Sequence, residues 1–220
     1  MSMAGNTKEH EDFINMVDPF SFSIFIPTIT RPTLGRTLWS IRLQELIPDD
    51  EVIVIGDGPQ PIARELFEQF RFRGRYVERP KAIPSDWGHG HRNAMMKTAN
   101  AAWILAMDDD DEYKPGALKT IREALKNGPK VPHIFRMDND PVVGHVWKIP
   151  QMTCGNVSTI CFACPNDPEK LGIYTNRYGG DFDFIEKTCS FYPTGPVWRE
   201  EFIATVRPLG RRYHLSGNAV

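Results

Sequence analysis

Apolar runs alternate with amphipathic stretches along the first 130 residues of the chain. Short runs rich in apolar, β-branched and aromatic residues predict buried strands at Ser21–Ile26, Glu51–Ile55 and Ala102–Met107, with a shorter strand at Arg75–Glu78. Apolar residues at helical spacing predict helices over Leu34–Leu46, Ile62–Phe70 and His91–Ala101, and from Pro115 to Leu125. This regular alternation of strand and helix is typical of a parallel α/β sheet.

The pattern changes after residue 130. Three strand-like runs follow one another without intervening helices, at His133–Met137, Val142–Ile149 and Thr159–Ala163. A short helix is predicted at Asp181–Thr188, and the sheet is expected to become mixed. Neither a Gly/Ser linker nor a repeat divides the chain. We therefore predict a single domain over residues 1–220, with one half at about 19–130 and the other at about 131–220.

The amino-acid composition is that of an ordinary globular domain. Hydrophobic residues make up 41% of the 220 positions, and 26 basic against 28 acidic residues leave a net charge of -2. This balance gives no general bias towards nucleic acid or membrane surfaces. The first 18 residues lack the apolar core of a signal peptide. No run approaches the roughly 18 apolar residues of a membrane span, and a cytoplasmic location is expected.

Four cysteines are present, at positions 154, 161, 164 and 189. One Cys-x-x-Cys pair occurs, but the other two cysteines are not paired at zinc-finger spacing. Reduced thiols are therefore favoured over a structural zinc site that uses all four.

Three polar loops follow predicted strands. They are Thr28–Pro32, Gly56–Gly58 and Asp108–Asp111. The carboxyl ends of parallel strands meet at one edge of a sheet, where open α/β folds bind their ligands. A binding site of nucleotide size is therefore expected at this edge.

The four consecutive aspartates are the strongest chemical signal. Two unit charges 4 Å apart repel by about 1 kcal/mol even in water, so an acidic run at the end of an apolar strand normally needs a cation. Ligand sets made only of oxygen favour Mg²⁺ or Mn²⁺ over zinc, and the glycine of a calcium-binding EF-hand loop is missing. The alternative is a solvated acidic turn ahead of the helix that Pro115 begins.

Three segments, in this order and spacing, resemble the GT-A glycosyltransferases of family 2: SIFIPTITRPTLGRTLWSIRLQ, EVIVIGDGP and HRNAMMKTANAAWILAMDDDDEYKPGAL. The resemblance covers about Ser23–Leu118. It implies a GT-A fold with a mixed, mostly parallel central sheet flanked by helices. It also implies a nucleotide-sugar donor, an Mn²⁺ or Mg²⁺ cofactor, and inverting transfer of the sugar to an unidentified hydroxyl acceptor.

The resemblance assigns the nucleotide contacts by position. Thr28 and Arg31 match the turn that holds the nucleotide, and Asp57 matches the contact to the base. Arg92 matches an arginine that approaches the nucleotide or its diphosphate, with a helix-surface arginine as the alternative. The family usually has two acids before the glycine of the second loop, and Gly56 replaces the first of them. The base therefore stays open, with UDP favoured only by its frequency in the family.

The metal site follows from the same comparison. Asp108 with Asp110 matches the aspartate motif, and the neighbouring Asp109 is placed among the donor contacts. Asp110 is the preferred metal ligand, with Asp111 as a near competitor. A late histidine is a further metal ligand in many GT-A enzymes, which nominates His214, although a lone histidine near the end of a chain is more often a surface residue.

The catalytic base must come from the second half. Inverting transfer needs a carboxylate that accepts the proton of the acceptor hydroxyl. The segment Gly179–Phe184 resembles the Glu-Asp segment of the family, with Asp181 in the position of the base. Asp183 lies two residues further on and cannot share a helix face with Asp181. The alternative role of Asp181 is to cap the helix.

Other interpretations stay open. A nucleotidyltransferase shares the α/β frame and metal-binding aspartates, but the loop Thr28–Pro32 lacks a glycine-rich phosphate-binding run. A nucleotide-sugar-binding module without catalysis is another alternative. A modified DNA base as acceptor is supported only by basic clusters at Arg71–Arg75 and Arg207–Arg212. The glycine-flanked Trp87, His89 and His91 are expected to shape the donor pocket rather than to bind a metal.

Overall fold

The computed structural model describes residues 17–81, 86–139 and 147–206. Within these ranges eight strands form one sheet: β1 (Phe22–Thr28), β2 (Glu51–Asp57), β3 (Gly74–Arg79), β4 (Trp103–Ala106), β5 (Glu112–Tyr113), β6 (His133–Asn139), β7 (Phe162–Pro165) and β8 (Val197–Val206). The α-helices are α1 (Leu34–Arg42), α2 (Pro61–Phe70), α3 (His89–Met96), α4 (Ala117–Lys126) and α5 (Gly180–Ser190). Short 3₁₀ turns occupy Thr159–Cys161 and Pro168–Lys170.

The sheet is mixed and mostly parallel, with the strand order β3-β2-β1-β4-β7-β6-β8-β5. Strands β3, β2, β1 and β4 run parallel to one another. Strand β7 is antiparallel to both of its neighbours, whereas β8 is parallel to β6 and antiparallel to β5. The predicted fold class, an α/β sheet of GT-A type flanked by helices, is confirmed.

The central strands are buried on both faces. In β1, Phe22, Ile24, Phe25 and Ile26 are each at most 1% exposed. Helices cover both faces of a parallel sheet, so its strands show continuous apolar runs rather than alternation. Among the helices in the ranges above, none is both long enough and apolar enough to cross a membrane.

Strands β1, β2 and β4 end at the same edge of the sheet. Thr28 at the end of β1 lies opposite Gly56 of β2. Phe25 lies opposite Ala106, where β4 ends two residues before Asp108. The three polar loops singled out in the sequence therefore lie together at this edge.

Strand β8 packs next to the aspartate loop. Thr205 pairs with Glu112, which directly follows Asp111 in the chain, and the Lys114 amide donates to the Ile203 carbonyl at 2.9 Å. Strand β8 therefore supports the segment that follows the four aspartates.

The second half differs most from the sequence prediction. Strands β5 and β8 were not predicted. Residues Thr159–Cys161, expected to begin a strand, form a 3₁₀ turn, and the strand starts at Phe162. Of the predicted strand Val142–Ile149, residues 142–146 lie outside the described ranges, and residues 147–149 form bends or irregular backbone.

Candidate active site

The turn after β4 brings three carboxylates together. Asp108, Asp110 and Asp111 each offer a carboxylate oxygen, and these oxygens all lie within 4.8 Å of one another. The Asp111 amide donates to the Asp108 carbonyl at 3.2 Å, which closes the turn. Asp110 is 5% exposed and Asp111 is 1% exposed. Three converging oxygen ligands fit a hard divalent cation such as Mg²⁺ or Mn²⁺, which completes its shell with water and phosphate oxygens.

Asp109 points away from this cluster and is fully buried. Its carboxylate accepts hydrogen bonds from the Thr28 hydroxyl at 2.7 Å and the Ile29 amide at 3.2 Å, and it forms an ion pair with Arg31. The Thr33 hydroxyl donates to the Asp109 carbonyl at 2.9 Å. Three residues predicted to contact the donor, Thr28, Arg31 and Asp109, are therefore bonded to one another, and they fix the β1 loop to the aspartate turn.

Arg92 connects helix α3 to the same turn. Its guanidinium is ion-paired with Asp108 and donates to the Trp87 carbonyl at 2.8 Å. The guanidinium also lies 5.7 Å from the centre of the Tyr174 ring, within cation–π range. Burial acts most strongly and lowers the pKa of Arg92, but the combined negative charges around it, Asp108 first, outweigh burial and the pKa is raised. A fixed positive charge therefore stands beside the carboxylate cluster.

Asp57, in the second polar loop of the site, pairs with His91 on α3. Asp57 is the last residue of β2, and its carboxylate lies 3.0 Å from Nε2 of His91 on α3. The Gln60 side chain donates to the Asp57 carbonyl at 2.9 Å. These contacts hold the carboxylate at the edge of the sheet, where the sequence predicts the contact to the nucleotide base.

Asp181 lies in the first turn of α5. Burial raises the pKa of its carboxyl, and the Asp108 charge raises it further. The Phe182 amide, which donates at 2.9 Å, and the charges of Arg92 and His89 act in the opposite direction. Asp181 is therefore within electrostatic reach of the aspartate turn and holds a proton more tightly than an exposed aspartate.

Asp183 has a different environment. Its carboxylate is ion-paired with Arg177, whose Nε lies 2.7 Å away, and it accepts from the Thr175 hydroxyl. The Arg177 hydrogen bond, followed by that from Thr175, lowers the pKa of Asp183. Of the two carboxylates considered as the base, one is neighboured by the aspartate turn and the other is committed to an ion pair.

Several supporting contacts were not foreseen. Asn93 exchanges two hydrogen bonds with the Tyr174 backbone, at 2.8 and 2.9 Å. The Thr37 hydroxyl donates to the Asp111 carbonyl at 2.8 Å. Thr33, the N-cap of α1, and Thr37 lie four residues apart, about one helical turn. This spacing of hydroxyls is a sequence signal that could have indicated a supporting role. His214 and the cluster Arg207–Arg212 lie outside the described residues.

The other basic cluster, Arg71–Arg75, makes contacts within the chain. Arg73 donates to the Pro48 carbonyl at 2.8 Å, and Arg75 pairs with Glu51 at 3.2 Å. Two of its arginines are therefore engaged in fixing β3 and its preceding loop.

The four thiols are free. Cys154 is exposed and the other three are buried. Burial raises the pKa of Cys161 and of Cys189 to about 12, so both carry their proton at neutral pH.

The sequence model of a family described as glycosyl transferase family 2 matches residues 23–187, more than half of the chain. The chain belongs to glycosyl transferase family 2. It is 31% identical over 109 residues to an uncharacterized glycosyltransferase, YwdF, of Bacillus subtilis (strain 168). That alignment covers 47% of this chain and 38% of YwdF.

Solved structures share the fold of this family member. TarS of S. aureus, residues 1–349 in complex with UDP, superposes with a TM-score of 0.66 at 16% identity, covering 84% of this chain and 60% of that one. The mannosyltransferase PcManGT of Pyrobaculum calidifontis, in complex with GDP-Man and Mn²⁺, gives 0.65 at 16% identity, with coverage of 94% and 65%. The chain spans less than two thirds of the length of each relative named here.

Proposed function

We propose that this family 2 protein is an inverting glycosyltransferase that moves a sugar from a nucleotide-sugar donor, with UDP favoured, to a hydroxyl acceptor. The observation that supports it most is the convergence of Asp108, Asp110 and Asp111 within electrostatic reach of a separate carboxylate, Asp181. The three carboxylates of the aspartate turn suit a cation that binds the diphosphate of the donor. The separate carboxylate of Asp181 suits the hydroxyl of the acceptor.

The aspartate turn would hold Mg²⁺ or Mn²⁺ through Asp110 and Asp111, with Asp108 as the third carboxylate. A divalent ion there supplies positive charge that stabilises the departing diphosphate. Its Mn²⁺ complex makes PcManGT a relevant comparison. His214 remains a predicted further ligand.

Arg92 supports the leaving group from the protein side. Its ion pair with Asp108 places a guanidinium beside the aspartate turn, where it can donate to a phosphate oxygen. Arg31 is partly buried and paired with Asp109, so it carries a second positive charge to the same edge. The two arginines flank the cluster and offset the negative charge that the nucleoside diphosphate gains as it departs.

Asp181 would act as the base. The acceptor oxygen attacks the anomeric carbon from the face opposite the diphosphate, so the new carbon–oxygen bond forms as the bond to phosphate breaks. The acceptor proton passes to the Asp181 carboxylate, and the electron pair leaves with the nucleoside diphosphate. A single displacement of this kind inverts the anomeric centre. The raised pKa of Asp181 strengthens it as a proton acceptor, provided that it is ionised at the working pH.

The Asp57–His91 pair would contact the nucleoside. Asp57 ends β2 at the same edge of the sheet as the aspartate turn that follows β4, with the end of β1 between them. UDP is favoured by family frequency, and TarS has been solved with UDP and with UDP-GlcNAc. GDP remains the main competitor, since PcManGT was solved with GDP-Man.

Donor turnover tests this proposal directly. Release of UDP from UDP-GlcNAc and of GDP from GDP-mannose is measured with Mn²⁺, with Mg²⁺ and with a chelator. We expect metal-dependent release in the wild type and a fall of about 100-fold or more in Asp110→Asn and Asp181→Asn. Asp167→Asn, a change in a partly exposed aspartate that caps the Pro168–Lys170 turn, serves as the matched control.

The outcomes separate the alternatives. Equal, metal-independent release in all variants contradicts the proposal. Release of pyrophosphate from a nucleoside triphosphate and a sugar phosphate indicates the nucleotidyltransferase. Tight donor binding without turnover indicates the inactive binding module. Proton NMR of the first product formed distinguishes inversion from retention.

A further inference from the structure

Two exposed aromatic side chains meet beside the proposed base. Trp87 is 51% exposed and Tyr178 is 82% exposed, and their rings meet edge to face with centroids 6.3 Å apart. Tyr178 precedes Asp181 by three residues, in the turn that begins α5. Trp87 lies just before α3, and its carbonyl accepts a hydrogen bond from the Arg92 guanidinium. The positive charge of Arg92 also acts on the pKa of Asp181. Two large rings held in water at a candidate active site need an explanation.

The backbone of Trp87 is also unusual. Its φ is +49°, a left-handed conformation that is rare for a bulky residue. Such conformations persist where the surrounding structure holds them in place, and they concentrate at functional sites. Here the unusual backbone presents an indole ring that is half exposed and contacts the rings of His89 and Tyr178.

The two segments that carry the rings are locked to each other. Asn93 exchanges two hydrogen bonds with the Tyr174 backbone, and Nδ1 of His89 lies 2.7 Å from the Thr175 carbonyl oxygen. A Cβ atom on Gly180 would lie 2.1 Å from that same carbonyl oxygen and 2.7 Å from the His89 ring. Only glycine fits at position 180, because the segment before α5 packs directly against His89 of α3. The aromatic pair is therefore preorganised, which lowers the entropic cost of binding.

The chemistry of the surroundings limits the ligand. Asp86 precedes Trp87, and Asp181 lies three residues after Tyr178. The two arginines near the ring pair are already ion-paired, Arg92 with Asp108 and Arg177 with Asp183. This acidic setting disfavours a polyanion such as single-stranded nucleic acid, which needs cations along its backbone. A pyranose ring is neutral, has an apolar C–H face that packs on an aromatic ring, and carries hydroxyls that can face a carboxylate.

We infer that Trp87 and Tyr178 form an acceptor subsite that binds a sugar ring and directs one of its hydroxyls towards Asp181. The inference rests on the proposed function for the role of Asp181, but it identifies the acceptor class, a saccharide, from different residues. Transfer then forms a glycosidic bond between two sugars, and the proton of the acceptor hydroxyl passes to Asp181.

Binding of simple glycosides tests the inference without the true acceptor. Saturation-transfer NMR is recorded with the methyl glycosides of glucose, galactose, N-acetylglucosamine and mannose, in the presence of UDP and Mn²⁺. We expect at least one glycoside to bind the wild type and to bind Trp87→Ala and Tyr178→Ala about ten-fold or more weakly. Trp39→Ala removes another exposed indole, on α1, and is expected to bind as the wild type does.

Two further measurements keep the result interpretable. Trp87→Gly suits the left-handed backbone, so loss of binding in a variant that keeps its Tm reflects the missing ring.

Wild-type donor release is measured in parallel. If the donor is turned over but no glycoside binds, or binding is unchanged in both ring variants, the subsite is wrong and the proposed function stands. If the ring variants lose glycoside binding but the wild type releases no nucleotide, Trp87 and Tyr178 stand as a saccharide-binding site, and the proposed function is wrong. Preferential binding of a short oligothymidylate over all glycosides also overturns the subsite.

Discussion

Arg92 and Asp108 form an ion pair that joins helix α3 to the turn after β4. The same guanidinium donates to the Trp87 carbonyl. One side chain thus connects the aspartate turn with the loop that carries the exposed indole. The donor and acceptor sides of the proposed site share this residue.

Arg92→Lys is expected to lower kcat/KM for the donor by about 10- to 100-fold. A lysine keeps the charge, but its ammonium is a single donor point that cannot serve the Asp108 carboxylate and the Trp87 carbonyl in the planar geometry of a guanidinium. Steady-state donor release measures the effect. Arg64→Lys, at a half-exposed arginine paired with Glu78, is the control and is expected to stay within two-fold of the wild type. An equally active Arg92→Lys would show that charge alone is sufficient.

Thr28→Val is expected to destabilise the fold by about 1–3 kcal/mol, because it removes one donor from the buried Asp109 carboxylate. Thr28→Ser keeps the hydroxyl and should recover most of this loss. Urea denaturation followed by circular dichroism gives both values. If the valine variant were as stable as the wild type, the hydrogen bond to Asp109 would not contribute to the connection between the β1 loop and the aspartate turn.

Mn²⁺ should raise the Tm of the wild type, since an ion bound only by the folded state stabilises it. At about 100 times its Kd the gain is about 2.7 kcal/mol. Asp110→Asn should lose most of this shift, whereas Asp167→Asn should keep it. Differential scanning fluorimetry with and without Mn²⁺ makes the comparison. A shift that survives in Asp110→Asn would place the ion elsewhere.

Asp181→Asn is expected to raise the Tm at neutral pH. Burial and the Asp108 charge raise the folded-state pKa of Asp181 above its ordinary value of 3.8. The unfolded chain therefore loses this proton first as pH rises, so stability falls between 3.8 and the folded pKa and stays lower above it. Removing the ionisable group removes that penalty. The gain should shrink as pH falls below 3.8.

Asp183→Asn supplies the matched comparison, with the opposite sign. The hydrogen bond from Arg177 lowers the pKa of Asp183, so its ionised form stabilises the fold above the unfolded pKa, and that contribution is lost as pH falls through the folded pKa. Its Tm at neutral pH should decrease. Thermal melts of both variants from pH 3 to pH 8 decide the matter, and shifts of the same sign would contradict the assignment of the two environments.

For the aspartate run, the sequence predicted the place of the carboxylate cluster but not which side chains form it. An acidic run after an apolar strand predicted the place of the cluster, because strand ends in a parallel sheet share an edge. Which side chains converge depends on the backbone path of the turn. Three of the four carboxylates meet, and the fourth, Asp109, binds the β1 loop. Four identical residues in a row carry no pattern that could have shown this.

Strand β8 was missed for a different reason. Its middle is the polar sequence Arg199-Glu200-Glu201, which hides the alternation expected of a strand. Arg199 is accommodated by donating to Nδ1 of His133 at 3.2 Å and to the Ala124 carbonyl at 2.9 Å. These partners lie more than 60 residues away in the chain, so no local pattern could predict them.

The pairing of β8 with β5 has a practical consequence for handling the protein. Thr205 pairs with Glu112, the residue after Asp111, so a truncation that removes Thr205 takes a paired strand away from the segment that follows the aspartate turn. The amino-terminal end of β1, at Phe22, lies at the opposite edge of the sheet from Thr28. A shortened chain that keeps the aspartate turn intact therefore needs β8 as far as Thr205, whereas changes at the amino-terminal end of β1 lie away from that turn.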